Sequence, residues 1–160
     1  MIPSMTEPSQ ISKKNTCDGC TLCCKLLEIP ELNKPVNEYC SLCKVNSGCS
    51  IYNTRPQSCR DFNCLYITHN LTERLKPKNC HVVFEKLKDC PVYLALIDPD
   101  YPQALESEAV KVLIMQLLQD NFSVVTTAGA GRVKNFFLAQ DTTQAEVWTH
   151  ITRNYKQMKV

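Results

Sequence analysis

The stretch C-D-G-C-T-L-C-C, residues 17–24, places four thiols in eight positions, and it limits the fold more than any other feature of the chain. Side chains that reactive and that close must be cross-linked, hold an ion, or stay reduced. Five more cysteines follow at Cys40, Cys43, Cys49, Cys59 and Cys64, so nine of the eleven lie between residues 17 and 64. Cys80 and Cys90 stand apart, and none follows them.

Eleven is an odd number, which a fully paired disulfide framework within one chain cannot use. The opening residues, MIPSMTEPSQISKKN, hold no apolar run of signal-peptide length and no small-residue cleavage site. No stretch approaches the roughly 20 apolar residues that span a bilayer. The expectation is therefore a cytoplasmic protein, in a compartment where thiols stay reduced unless something binds them. A net charge of +2 is too small to point to nucleic acid or to a membrane surface. Count and compartment both favour metal over disulfides.

A Cys-x2-Cys pair on a tight turn can aim both sulfurs at one ion, which is why the spacing recurs in zinc and iron–sulfur sites. Here Cys17/Cys20 and Cys20/Cys23 overlap as such pairs, and Cys40/Cys43 is a third. The adjacent Cys23 and Cys24 are the informative detail. Neighbouring side chains diverge, so both rarely reach one ion as terminal ligands, and a disulfide between them would close a strained ring. One sulfur serving one metal, with the next serving or bridging to another, resolves the conflict. Nine cysteines then supply four ligands to each of about two centres, with one left over. Thiolates suit zinc and iron alike, so Zn2+, iron and an iron–sulfur cluster are all candidates.

These residues resemble the bacterial YkgJ-type cysteine-cluster family, whose hallmarks are C-x2-C-x2-C-C and G-C-x-I-Y-x2-R-P-x2-C-R-x-F. In this chain they fall on Cys17, Cys20, Cys23 and Cys24, and on Gly48 through Phe62. The resemblance covers about residues 17–68 and implies a zinc- or iron-chelating module. Its family-type cysteines are the four of the first motif with Cys43, Cys49, Cys59 and Cys64, whereas Cys40 belongs to a variant with a Cys-x2-Cys in the middle. The cluster motif also occurs in a flagellin lysine methylase. That enzyme is similar only in its cysteines and is much longer, so methylation does not carry over.

A zinc held by four thiolates carries a net charge of about −2. Lys25, Arg55 and Arg60 are close enough in sequence to offset it, although the two arginines facing water would be equally compatible. Backbone amides around Gly19 and Gly48 are candidate donors to sulfur. Pro56 is expected to fix the turn that brings Cys59 round.

Composition changes behind the cysteines. Residues 1–15 read as a disordered leader, 16–68 as the cysteine module and 79–160 as a conventional globular part. The module has little apolar periodicity, so coordination is expected to close it. N-L-T-E-R-L-K-P reads as a short helix capped by Asn70 and stopped before Pro77. H-V-V-F-E-K-L and P-V-Y-L-A-L-I read as strands, the second apolar enough to be buried. Leu105, Ala109, Leu113 and Leu117 have the spacing of a helix face. F-S-V-V-T-T-A-G-A-G-R-V-K-N-F-F-L-A reads as a hairpin turning at Ala128 to Gly131. A last helix has Val147, Trp148, Ile151 and Tyr155 on one side and a capping box at Thr143 and Glu146. The class is α+β: an irregular metal-stapled module, then a small antiparallel sheet with helices on one face, in the order β-β-α-β-β-α.

Other features carry less. His81 beside Cys80 could add a nitrogen ligand but reads better as a strand residue, and His69 and His150 as solvated. Cys90-Pro91 has the form that ends a bacterial ferredoxin motif, yet the compact ferredoxin run is missing and a buried strand cysteine fits better. A-G-A-G-R reads as a turn rather than a phosphate cradle. No Ser/His/Asp set or paired carboxylates mark an enzyme. Two functions compete: a metal-binding module that uses its fold for a protein partner or for metal delivery, and an iron–sulfur protein with a redox or enzymatic role.

Overall fold

Short helices and turns carry the cysteine segment. In the computed structural model, which describes residues 13–128 and 132–155, they are α1 (Leu22–Leu26), the hairpin of β1 (Cys43–Lys44) and β2 (Gly48–Cys49), α2 (Gln57–Asp61), α3 (Leu65–Thr68) and α4 (Pro77–Cys80). A four-stranded sheet follows: β3 (Val82–Lys86), β4 (Val92–Ile97), β5 (Ser123–Ala128) and β6 (Arg132–Phe137). Between β4 and β5 runs α5 (Glu108–Gln119), and α6 (Gln144–Asn154) comes last. The fold is α+β, in the expected order of elements. No helix among the described residues is long and apolar enough to cross a membrane.

The sheet differs from the expectation in two respects. Its order is β3-β4-β5-β6, and the central pair β4–β5 is parallel, with Leu94 beside Val125. Only the outer pairs β3–β4 and β5–β6 are antiparallel. A hairpin must reverse the chain, whereas a helix of twelve residues is long enough to carry it back to the starting edge. The helices also cover both faces instead of one. Phe84, Tyr93, Ala95, Ile97 and Val124 pack with Val110, Leu113, Ile114 and Leu117 of α5. The alternate residues Val92, Leu94 and Val125 pack with Val147 and Ile151 of α6. Burial on both faces explains why β4 reads as a nearly continuous apolar run.

This sheet positions the cysteine segment by its edge strand. Leu65 of α3 joins the α5 side of the core. Leu22 and Leu26 of α1 join Val83 on the opposite face. Cys64 pairs with Glu85 in an isolated antiparallel bridge along β3. The segment thus grips β3 from both sides, and each fully buried leucine contributes roughly 1.5–3 kcal/mol.

Local details also depart from expectation. N-L-T-E-R-L-K-P forms only a 3-10 turn over Glu73–Leu75, with Thr72 rather than Asn70 at its cap. Asn70 instead adopts a left-handed φ of 48° and accepts a hydrogen bond from the Asn15 amide at 2.7 Å. Asn15, at the end of the expected leader, also donates to the carbonyls of Tyr66 and Leu71. Pro77 opens α4 because its fixed φ suits the first helical position. His81 is the left-handed residue after α4, ahead of β3, and stacks on Tyr101. Cys90 is buried with the α6 core, in the turn before β4 and outside any strand. The capping box is present as expected, with Thr143 N donating to Glu146 Oε2 at 2.7 Å. The turn of the β5–β6 hairpin, residues 129–131, lies outside the described residues.

Candidate metal centre

Two of the three Cys-x2-Cys spacings, Cys17/Cys20 and Cys40/Cys43, fold as tight turns, while Cys23 lies in α1. Cys20 N donates to Cys17 O at 2.6 Å, and Cys43 N donates to Cys40 O at 2.9 Å. The first turn needs Gly19, whose φ is +64° and where an added Cβ would lie 3.2 Å from the Asn46 carbonyl. Cys40 N then donates to Cys24 O at 3.1 Å, which docks the middle pair on the first motif. In the β1–β2 hairpin Cys43 faces Cys49 directly. Pro56 sits at the cap of α2 and brings Cys59 round as expected. Glu31 holds the start of this helix, accepting from Ser58 N at 3.0 Å and Ser58 Oγ at 2.7 Å.

The turns converge on a single cavity of about 530 Å³. Cys17, Cys20, Cys23, Cys24, Cys40, Cys43, Cys49 and Cys59 all line it. Cys64 is not among the lining residues; it stands half-buried against β3. All eleven cysteines are free, with no disulfide. Among the described residues no three Cys, His, Asp or Glu side chains are gathered so as to hold a metal ion. The thiols surround the cavity without closing on a point. Apolar side chains, among them Leu27, Ile29, Leu42, Ile51 and Phe62, complete the wall.

Five of the clustered thiols, Cys17, Cys24, Cys43, Cys59 and Cys64, resist ionisation where they stand. A contact with the Cys23 sulfur, then burial, pushes Cys24 well above the ordinary range. Burial, then the neighbouring Cys24, pushes Cys43 up to about 12. Burial raises Cys64 to about 11, with the backbone at Tyr66 and Ile67 working the other way and Cys20 and Cys17 adding to the rise. Cys17 and Cys59 are raised too, each by burial first and each with Cys24 contributing. Cys24 thus contributes to the rise at Cys17, Cys43 and Cys59.

The surrounding cations are not the expected set. Lys25 turns to Asp98 and Asp100, and Arg60 is exposed. Arg55 does line the cavity, with its guanidinium carbon 3.8 Å from the centre of the Tyr52 ring. Its Nε is buried without a hydrogen-bond partner. Arg55 works against the rise at Cys17, as expected of it, and two lysines missed by sequence reading do likewise, Lys76 at Cys17 and Lys34 at Cys24. Neither lysine had a signal, since both stand outside the cysteine motifs. Cys80 is buried, its Sγ facing the Val82 carbonyl at 3.3 Å, and His81 Nδ1 lies 3.9 Å from Asp98 Oδ2. Neither lines the cysteine cavity.

Zinc and iron suit the donor type present, although the side chains are not gathered as a ligand set. The donors are soft thiols, and the orphaned Nε of Arg55 calls for an acceptor that an anionic thiolate centre would supply. No family model, curated protein or solved structure matches the chain.

Proposed function

We propose that this protein binds zinc or iron through thiolates of Cys17, Cys20, Cys23, Cys24, Cys40, Cys43, Cys49, Cys59 and Cys64; the resemblance to the YkgJ-type family implies the chelation, and the adjacent Cys23 and Cys24 favour about two centres. The convergence of eight cysteines from four separate segments on one cavity carries this reading. Apolar burial alone gives no reason to collect unpaired thiols there. Because the side chains do not close on a point, binding is coupled to local rearrangement, and coordination adds to the folding free energy of this segment. A bound ion supplies either a structural clamp or, as an iron–sulfur cluster, an electron carrier. The apolar wall of Leu42, Ile51 and Phe62 favours the second possibility as an alternative, since it would shield a cluster from water.

Anaerobic purification, metal analysis and a visible spectrum test the proposal. The expected result is about two metal equivalents held by thiolates. Colourless protein with zinc supports a structural or delivery role, and a sulfide-to-iron absorption supports the cluster. Reduced protein that takes up neither metal yet keeps its fold overturns the reading.

A further inference from the structure

We propose that Cys43 and Cys49 are a redox pair, which an oxidant of the peroxide class joins in a reversible disulfide that withdraws both sulfurs from the metal site. The bridge follows from the hairpin alone, whereas its effect on metal rests on the metal-binding reading above. The two residues face each other in the β1–β2 register. Cys43 N is taken up by Cys40 O at 2.9 Å, and the bond next to the pair runs from Ser50 N to Leu42 O at 2.9 Å. Cys43 and Cys49 are therefore a non-hydrogen-bonded antiparallel pair. In such pairs the Cα atoms stand about 4.5 Å apart and the side chains come closest, on one face of the ladder. A disulfide asks for Cα atoms about 4.4–6.8 Å apart and side chains that do not diverge. The pair meets both conditions. The Cys43 sulfur now touches that of Cys24, and rotation about one side-chain bond re-aims it at Cys49, a fast motion outside a packed core.

Access singles out the same two residues. Besides the large cavity they line a second, more open pocket of about 410 Å³ built by the hairpin. Ser41, Lys44, Ser47 and Ser50 around it are exposed, and no other cysteine lines it. A small polar oxidant reaches the pair from here without entering the large cavity. Neither cysteine belongs to a hydrophobic core, so the bridge disturbs no core packing. In the reaction one sulfur of the pair attacks hydrogen peroxide, the O–O bond breaks, and a sulfenic acid and one water result. The second sulfur then attacks the first and displaces its hydroxyl as another water, which forms the S–S bond. The two cysteines give up two electrons and two protons, and the peroxide takes both. A bridge of this kind in a reducing compartment is transient and reports oxidant. A four-thiolate site that loses two sulfurs has too few ligands left to keep its ion. Metal on these sulfurs and the bridge between them thus exclude each other.

The test treats the reduced, metal-free, full-length protein with stoichiometric hydrogen peroxide, counts the thiols that remain, and maps the bridge by tandem mass spectrometry of proteolytic peptides. The expected result is the loss of two of the eleven thiols, a Cys43–Cys49 bridge ahead of any other, and the return of both thiols with dithiothreitol. The bridged protein should then bind about one zinc equivalent fewer than the reduced protein. Zinc loaded beforehand should protect the pair from peroxide. A first bridge elsewhere, Cys24 to Cys43 included, overturns the pairing and leaves the metal reading standing. A mapped Cys43–Cys49 bridge with unchanged zinc uptake overturns its role at the metal site. Reduced protein that takes up no zinc overturns the metal reading and with it that role, while the mapped bridge still upholds the pairing.

Discussion

Nζ of Lys25 lies 2.6 Å from Oδ1 of Asp98, and this pair ties the helix bearing Cys23 and Cys24 to the chain just beyond β4. Both side chains are buried, at 9% and 5% exposure. Burial alone would lower the lysine, but hydrogen bonds with Asp100 and Asp98 outweigh it and hold the ammonium above its ordinary range. A raised lysine contributes stability that is complete at neutral pH and is lost only as pH climbs through the lysine range.

Replacing Asp98 with Asn should therefore cost about 3 kcal/mol at pH 7, the lower end for breaking a buried pair, because Asp100 remains. Asp100 is 73% exposed, and Asp100→Asn should cost under about 1 kcal/mol. Urea unfolding of both variants checks this. Equal midpoints would mean that the Asp98 contact contributes no more than a solvated one.

Cys24→Ser should lower metal content by about one equivalent or more, since this thiol lines the cavity and acts on Cys17, Cys43 and Cys59. Cys80→Ser and Cys90→Ser should leave metal content unchanged, because both sulfurs are buried in the sheet cores. Metal analysis of the three purified proteins decides the matter. Loss of metal in Cys90→Ser would point instead to a ferredoxin-like arrangement with Cys17, Cys20 and Cys23.

Metal binding should depend steeply on pH. Burial pushes Cys43 to about 12 and Cys64 to about 11, so an ion must displace protons to bind. Apparent zinc affinity should rise from pH 6 to pH 8, with release of up to about four protons per ion into weakly buffered solution. The sign for the metal-free fold is opposite. A thiol whose folded pKa is raised favours the fold while neutral, so stability is complete below about 9.0 and falls as pH rises toward 12. Calorimetry at several pH values reads both effects.

Chelation should loosen the segment unevenly. Residues 40–59 have no member in the sheet cores apart from their own turns and should lose amide protection. Leu22–Leu26 and Leu65–Thr68 are held by Val83 and by the α5 core, and should keep part of theirs. The sheet and α5 should keep nearly all. Hydrogen exchange before and after chelation tests this, and simultaneous loss everywhere would show that coordination holds the whole chain together.

Local chemistry was legible in the sequence. The Cys-x2-Cys turns, the Pro56 entry to α2, the capping box and the periodicity of β3, β4, α5 and α6 all depend on contacts a few residues apart. The chain's own order therefore specified them, together with the α+β class and the nine clustered thiols. The parallel pairing of β4 with β5 and the placing of α5 and α6 on opposite faces were not legible, because periodicity names a buried face without saying what covers it. The same holds for charge. Lys25 and Lys34 both follow the first cysteine motif closely, and only the path of the chain after β4 delivers Asp98 to the first and leaves the second on the carbonyls of Lys25 and Leu27.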